Sequence, residues 1–126
     1  MADTIDPSRR TAAAPDTPHS EPVTLINSFA VPEGREDAFA ELWAGTSGYF
    51  RAQPGFLSLQ LHRALSNQAP YRFVNVAQWA SAEAFAAAHA TSEFRNLVSL
   101  PAWREFPSSP ALYEVVTRYG AVPGAG

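Results

Sequence analysis

The chain has 126 residues, a formal net charge of −3 and no cysteine, which is the size of one compact domain. It contains no lysine either, so cysteine nucleophiles, iron–sulfur clusters, zinc ribbons, Schiff-base enzymes and lysine-dependent phosphate loops are excluded. The net charge is negative and no basic residues are clustered, which argues against nucleic acid as a partner. No apolar run has the length of a signal peptide or a membrane span, so we expect a cytoplasmic protein with no membrane partner.

The predicted elements begin after an N-terminal arm. Residues 1–21 hold three prolines and mostly short polar side chains, which bury too little surface to offset the entropy of ordering, so this composition predicts a disordered arm. The predicted folding unit covers residues 22–119, and residues 120–126 are a loose tail. Alternation of apolar residues from Val23 to Val31 predicts a first strand. From about Arg35 the spacing becomes helical, and Pro54 ends the helix.

Two more strands are predicted from Phe56 to Leu65 and from Tyr71 to Trp79, joined by a hairpin loop. In the first of them, one face carries Leu57, Leu59, Leu61 and Leu65, and the other carries Ser58, Gln60 and His62. Ser81, and then Thr91 or Ser92, are the expected N-caps of two short helices. Pro107 to Pro110 is expected to link them to a last strand from Ala111 to Tyr119.

This β-α-β-β-α-β order predicts an α+β ferredoxin-like fold, the split-βαβ arrangement. Helices then cover one face of a single sheet, and the other face still carries apolar side chains. We therefore expect a homodimer in which two sheets pack against each other.

Two asparagines lie among apolar residues of predicted strands, Asn27 beside Phe29 and Asn75 beside Phe73. A buried carboxamide is costly unless it is hydrogen-bonded. Each could bond neighbouring backbone, but two on adjacent strands favour a shared polar spot in an apolar pocket. Trp79 is either a core anchor or a residue that stacks on an aromatic ligand and donates its N–H.

The histidines also leave alternatives open. His62 is either a surface residue or a proton relay. His89, one helical turn after Phe85, is expected to be a packing residue rather than a metal ligand. No group of His, Asp and Glu has a ligand-like spacing, so no metal site is expected.

Three runs of the chain resemble the antibiotic biosynthesis monooxygenase family: VPEGREDAFAELW (31–43), QPGFLSLQLHRAL (53–65) and YRFVNVAQWASAEAFAAAH (71–89). The resemblance implies a dimeric α/β barrel. The group most similar in look is the cofactor-free quinone-forming oxygenases of polyketide pathways. Their first-strand asparagine corresponds to Asn27, their Asn-x-x-x-Trp to Asn75 and Trp79, and a histidine late in their second strand to His62.

The resemblance therefore implies a cofactor-independent monooxygenase that oxidises a polycyclic anthrone- or phenol-type aromatic with O2 to a quinone. No cofactor is expected, and the partners are a small aromatic substrate, O2 and a second copy of the chain. The expected catalytic residues are Asn75, Trp79, Asn27 and His62, and the expected substrate-binding residues are Phe29, Phe73, Phe85 and His89.

Two alternatives stay open. The same family includes haem-degrading monooxygenases, which bind iron through a histidine on the second helix, a few residues after a Phe or similar residue. Here no histidine follows Phe94 as far as Val98. Those enzymes also carry an aromatic residue that distorts the haem, and Ala88 or His89 stands at that position here. Both departures count against haem. The other alternative is a non-catalytic dimeric domain that binds a small molecule or serves a stress response.

Overall fold

The secondary structure follows the predicted β-α-β-β-α-β order. A computed structural model describes residues 21–120, so the predicted arm up to residue 20 and the tail beyond residue 120 lie outside the described residues. In chain order the elements are β1 (Val23–Phe29), α1 (Glu36–Arg51), β2 (Phe56–Arg63), β3 (Phe73–Trp79), α2 (Ala82–Ala88), α3 (Ser92–Val98), a 3-10 helix (Pro101–Glu105) and β4 (Ser108–Tyr113).

The four strands form one sheet in the order β2-β3-β1-β4, and every neighbouring pair is antiparallel. This topology confirms the predicted ferredoxin-like α+β fold. Alternate side chains of β1 and β3 point toward the helices and pack there in two clusters. One cluster joins Val23, Leu25, Ala77 and Trp79 to α2. The other joins Phe29 and Phe73 to Phe39 of α1 and to Trp103 and Phe106.

Local capping explains where the short helices begin. The hydroxyl of Ser81 accepts a hydrogen bond from the Ala84 N–H, and the hydroxyl of Thr91 accepts one from the Phe94 N–H, each at 3.0 Å. Each bond satisfies one of the free N–H groups of a first helical turn. Ser81 is confirmed as a cap, and of the two candidates for the second helix Thr91 is the cap.

Gly55 makes the turn from α1 into β2 with a φ of +86°. A Cβ there would lie 2.4 Å from the Cβ of Ala84. Only glycine fits both the left-handed backbone and this contact with α2.

Two sequence predictions about strands were wrong. The last strand begins at Ser108 instead of Ala111 and ends at Tyr113, and residues 114–119 form no strand. Pro110 was taken as part of a link, but β4 is an edge strand that pairs only with β1, where a proline is tolerated. In β2 a register irregularity between Phe56 and Ser58 leaves Leu57 55% exposed, and Leu65 lies beyond the strand.

The other face of the sheet carries even-numbered residues of β1 and β3. Ile26 pairs with Val76 and with Ala111, and all three side chains are half-buried. In residues 21–120, the two core clusters described above lie on the opposite face, between the sheet and the helices. Within the same range no helix has the length and apolar character needed to cross a membrane.

Candidate active site

A cavity of about 110 Å³ lies between the sheet and the helices and is partly open to solvent. Most of its wall is aromatic and comes from every layer of the fold, including Phe50 of α1, Phe85 of α2 and Phe94 of α3. An aromatic enclosure of this kind lowers the local dielectric constant and strengthens any polar interaction made inside it.

Asn27 and Asn75 provide polar groups in the apolar wall. They are cross-strand partners in the β1–β3 pair, so their Cβ atoms are about 5 Å apart on the same face. Asn75 is only 4% exposed. The Oδ1 atoms of both residues are buried and have no hydrogen-bond partner. Since an unpaired buried amide oxygen costs about 1–3 kcal/mol, the pair is suited to a ligand that donates a hydrogen bond.

Trp79 supplies a donor farther along β3. Its side chain is 1% exposed and is held by edge-on contacts with Phe56, at a ring-centroid distance of 5.6 Å, and with Phe85, at 5.8 Å. Its Nε1 is buried without an acceptor. Trp79 is four positions after Asn75, which is roughly 13 Å along a strand, so the polar groups are spread over the length of the cavity.

Trp103 supplies a second donor and was not predicted as a site residue. The 3-10 helix carries it over β1, where its ring centroid is 5.9 Å from that of Phe29 and 6.1 Å from that of Phe39. Its Nε1 is also buried without a partner. No local sequence signal distinguishes Trp103, because its position depends on how the short helix packs against the rest of the fold.

His89 lies at the C-terminal end of α2, and its ring is 4.0 Å from the ring of Phe85 and 4.6 Å from that of Phe94. Its Nδ1 is 2.7 Å from the carbonyl oxygen of Phe85. A carbonyl only accepts, so Nδ1 carries the proton and Nε2 keeps a free lone pair. Burial lowers the pKa of His89 below its ordinary value, which favours the neutral ring.

Most of the predicted site residues line this one cavity. They are Asn27, Asn75, Trp79, Phe29, Phe85 and His89. Two do not. His62 pairs with Val74 on the opposite face of the sheet and is exposed there. Phe73 is buried beneath the cavity, stacked on Phe39 with 4.7 Å between ring centroids.

Several wall residues were interpreted only as core. Trp43 and Phe50 have helical spacing in α1, and this spacing is the same whether a side chain fills a core or borders a cavity. Phe94 and Val98 were placed on a helix but not assigned to the site. All four line the cavity, together with Thr46, Phe106 and Ser108.

The cavity holds no multi-ligand metal site, and it offers haem a single ligand. Within residues 21–120, no three His, Asp or Glu side chains are grouped as metal ligands. Among the described residues that line the cavity, His89 is the one imidazole, which is as many as haem iron takes in globins and peroxidases, but no charged side chain lines the cavity to pair with a propionate. The volume of about 110 Å³ is also below the roughly 300–1,000 Å³ of ordinary ligand pockets, so a macrocycle, like any polycyclic ligand, would have to extend through the opening.

Comparisons with known proteins identify the family to which this fold is similar. Residues 22–100 match the model of a family described as antibiotic biosynthesis monooxygenase. The chain is similar to the crystal structure of a proposed monooxygenase from Shewanella loihica PV-4, with 36% sequence identity, a TM-score of 0.69, and coverage of 79% of this chain and 98% of that one.

Two further solved structures bear on the chemistry. SnoaB, a cofactor-independent oxygenase from Streptomyces nogalater, is 30% identical with a TM-score of 0.65, over 82% of this chain and 98% of its own. A haem-degrading protein from Mycobacterium tuberculosis is 29% identical with a TM-score of 0.57, over 79% of this chain and 99% of its own. No curated protein sequence matches the chain.

Proposed function

Because the chain belongs to the antibiotic biosynthesis monooxygenase family, we propose that it is a cofactor-independent monooxygenase. Its substrate is an electron-rich polycyclic aromatic of the anthrone or phenol type, which O2 oxidises to a quinone. An oxygenase role is supported by the family and by its similarity to SnoaB and to the Shewanella loihica protein. The substrate class and the absence of a cofactor are our proposal.

One observation carries the proposal. Four buried polar atoms without partners belong to residues that line one apolar cavity: Oδ1 of Asn27, Oδ1 of Asn75, Nε1 of Trp79 and Nε1 of Trp103. Native proteins leave few buried polar groups unpaired. A phenolic or enolic hydroxyl donates to an amide oxygen, and a ring carbonyl accepts from an indole N–H, so an oxygenated aromatic satisfies both kinds of group.

The chemistry balances without an external reductant. An anthrone methylene loses its two hydrogens, one oxygen atom of O2 becomes the new carbonyl oxygen, and the other leaves as water with those hydrogens. The substrate supplies all the electrons as its conjugate anion. The amide N–H groups of Asn27 and Asn75 stabilise the negative charge on one oxygen atom, which is the role of an oxyanion hole. The indole N–H of Trp79 lies farther along β3 and donates to a second oxygen atom of the substrate.

The cavity size limits how the substrate sits. An engineered cavity of roughly 150 Å³ holds one benzene, so a cavity of about 110 Å³ encloses at most one ring of the substrate. The other rings then extend through the opening to solvent. Phe50, Phe85 and Phe94 provide faces and edges on which such rings pack.

We also propose that the protein is a homodimer that buries the helix-free face of its sheet. Ile26, Val76 and Ala111 form an apolar row across β1, β3 and β4 on that face. A second copy of the sheet covers this row and leaves the cavity on the opposite face of each protomer.

The test is oxidation of anthrone by the purified protein in aerated and in anaerobic buffer. We expect anthraquinone to form only with O2, with one O2 consumed per quinone and no requirement for added flavin, metal or haem. A titration with haem, followed at the Soret band, examines the haem-degrading alternative. Tight haem binding with haem turnover would favour that alternative, and binding of anthrone without conversion would favour a non-catalytic binding domain.

A further inference from the structure

The cavity contains a single ionisable side chain. Among the described residues that line it, His89 is the only one able to take up a proton near neutral pH. The remaining polar side chains are amides, indoles and hydroxyls. An anthrone or phenol reduces O2 as its anion, so the substrate must first lose a proton, and the wall offers one group that can accept it.

The geometry of His89 suits this role. Its Nδ1–H donates to the Phe85 carbonyl oxygen at 2.7 Å, which fixes the tautomer and leaves Nε2 as the acceptor. The rings of Phe85, Phe94 and Phe50 surround the imidazole, with centroid distances of 4.0, 4.6 and 5.1 Å. Aromatic packing on several sides restricts the rotation of the imidazole.

The segment that carries His89 is also anchored. The Tyr49 hydroxyl donates to the carbonyl oxygen of Ala88 at 2.5 Å and lies 2.5 Å from the hydroxyl of Thr91. These bonds tie the junction of α2 and α3 to α1. Of the described elements packed around the imidazole, α1 presents Phe50 and Tyr49, β3 presents Trp79 and α3 presents Phe94. The titratable and charged groups near it are Tyr49 and the exposed Arg95 of α3, whose guanidinium donates to the carbonyl oxygen of Ala90.

We propose that Nε2 of His89 is the base that deprotonates the substrate, in place of the proton relay expected at His62. The inference rests on the proposed function. The substrate's C–H or O–H bond breaks, its electron pair stays on the aromatic system as the anion, and a new N–H bond forms at Nε2. The same proton later passes to the oxygen that leaves as water, so His89 ends neutral.

The environment of His89 matches this task. Burial lowers the pKa of His89, with the hydrogen bond to Phe85 acting in the opposite, smaller sense. The neutral, proton-accepting ring is therefore the resting form at pH 7. Once protonated, the imidazolium faces the new anion in an apolar cavity, where the attraction between them is stronger than in water.

The test compares His89→Gln with Glu83→Gln, a control at an exposed position of the same helix. With anthrone and O2, we expect His89→Gln to lower kcat about a hundredfold with little change in KM, and to remove the fall in rate at acid pH. Glu83→Gln should leave kcat, KM and the pH dependence of the rate unchanged. Raising the pH until anthrone ionises in solution should restore the rate of His89→Gln, because a preformed anion needs no base. Equal losses at every pH would assign His89 a packing role and overturn the proposal.

A second readout does not depend on turnover. The probe is 2-hydroxyanthraquinone, a phenol that is already oxidised and whose ionisation is seen as a red shift of its visible band. With wild-type protein we expect the phenolate band at a pH about one unit below that needed in water, and with His89→Gln we expect no such lowering. If the band shifts with wild-type protein but no anthrone is oxidised, the proposed oxygenase function is refuted while the role of His89 as a base stands. If anthrone is oxidised but the band position is the same with wild type and His89→Gln, only the role of His89 as a base is refuted.

Discussion

Replacing Asn75 with leucine separates a functional amide from a structural one. Leucine has the same branching as asparagine, with methyl groups in place of the amide oxygen and nitrogen. Because Oδ1 of Asn75 is buried and unpaired, Asn75→Leu removes a desolvation penalty of about 1–3 kcal/mol without breaking a hydrogen bond. For a domain of this size that is a rise in melting temperature of about 4 °C or more.

The same substitution removes a donor to the developing anion. Loss of one such donor costs about 3 kcal/mol of transition-state stabilisation, or roughly a hundredfold in kcat. Tyr49→Phe is the contrasting variant, because it deletes a hydroxyl that is bonded to the Ala88 carbonyl, and it should lower the free energy of unfolding. Thermal melts and anthrone turnover on the same preparations give both quantities. A less stable Asn75→Leu protein with wild-type turnover per folded molecule would show that the amide is structural and takes no part in catalysis.

Four further outcomes are expected. The pKa of His89 is lower in the folded protein than in the unfolded chain, so below about pH 6.5 the unfolded chain binds more protons than the folded protein and stability falls as the pH falls. The urea midpoint should therefore fall less between pH 7 and pH 5 for His89→Phe than for wild type. An equal fall in both proteins would contradict this. Gly55→Ala should lower the melting temperature strongly, since its Cβ would lie 2.4 Å from that of Ala84. A small change would show that α2 shifts to accommodate the added Cβ. Wild type should sediment as a dimer and Val76→Glu as a monomer, and a wild-type monomer at micromolar concentration would exclude the dimer. Deletion of residues 1–20 should leave the melting temperature nearly unchanged, whereas a large drop would show that the arm docks.

Alternation along the strands was sufficient to predict that the two asparagines lie together in the sheet. A period of two puts Asn75 and Trp79 on one face of β3, and the ferredoxin-like order makes β1 and β3 neighbours, so Asn27 and Asn75 were expected to be close. The structure pairs them directly. Strand period and topology fix such positions because both are determined by backbone geometry.

His62 shows where a resemblance and a residue pattern disagree. Alternation in β2 puts it on the face opposite Leu61, and the structure confirms this placement. The family pattern gave it a role in the site, but a match in sequence does not determine which face of the sheet a side chain occupies. His89 had no such match, and it lies in the cavity because a helix end brings it there.

Trp103 and Phe73 show what strand patterns cannot predict. Phe73 shares the face of Asn75, but Phe39 of α1 covers it, so it lies in the core. Trp103 belongs to a short 3-10 helix with no apolar period, and its contact with Phe29 depends on the packing of that helix across the end of the sheet. Both outcomes depend on tertiary packing between elements far apart in the chain.

The most direct test of a cofactor-independent oxygenase is a single-turnover oxidation of anthrone under 18O2, with the quinone analysed by mass spectrometry. We expect one 18O atom per anthraquinone from wild-type protein carrying no added cofactor, and a rate about a hundredfold lower with Asn75→Leu. Unlabelled quinone, or labelled quinone formed equally fast without the protein, would contradict the claim that this cavity catalyses oxygen transfer to the substrate.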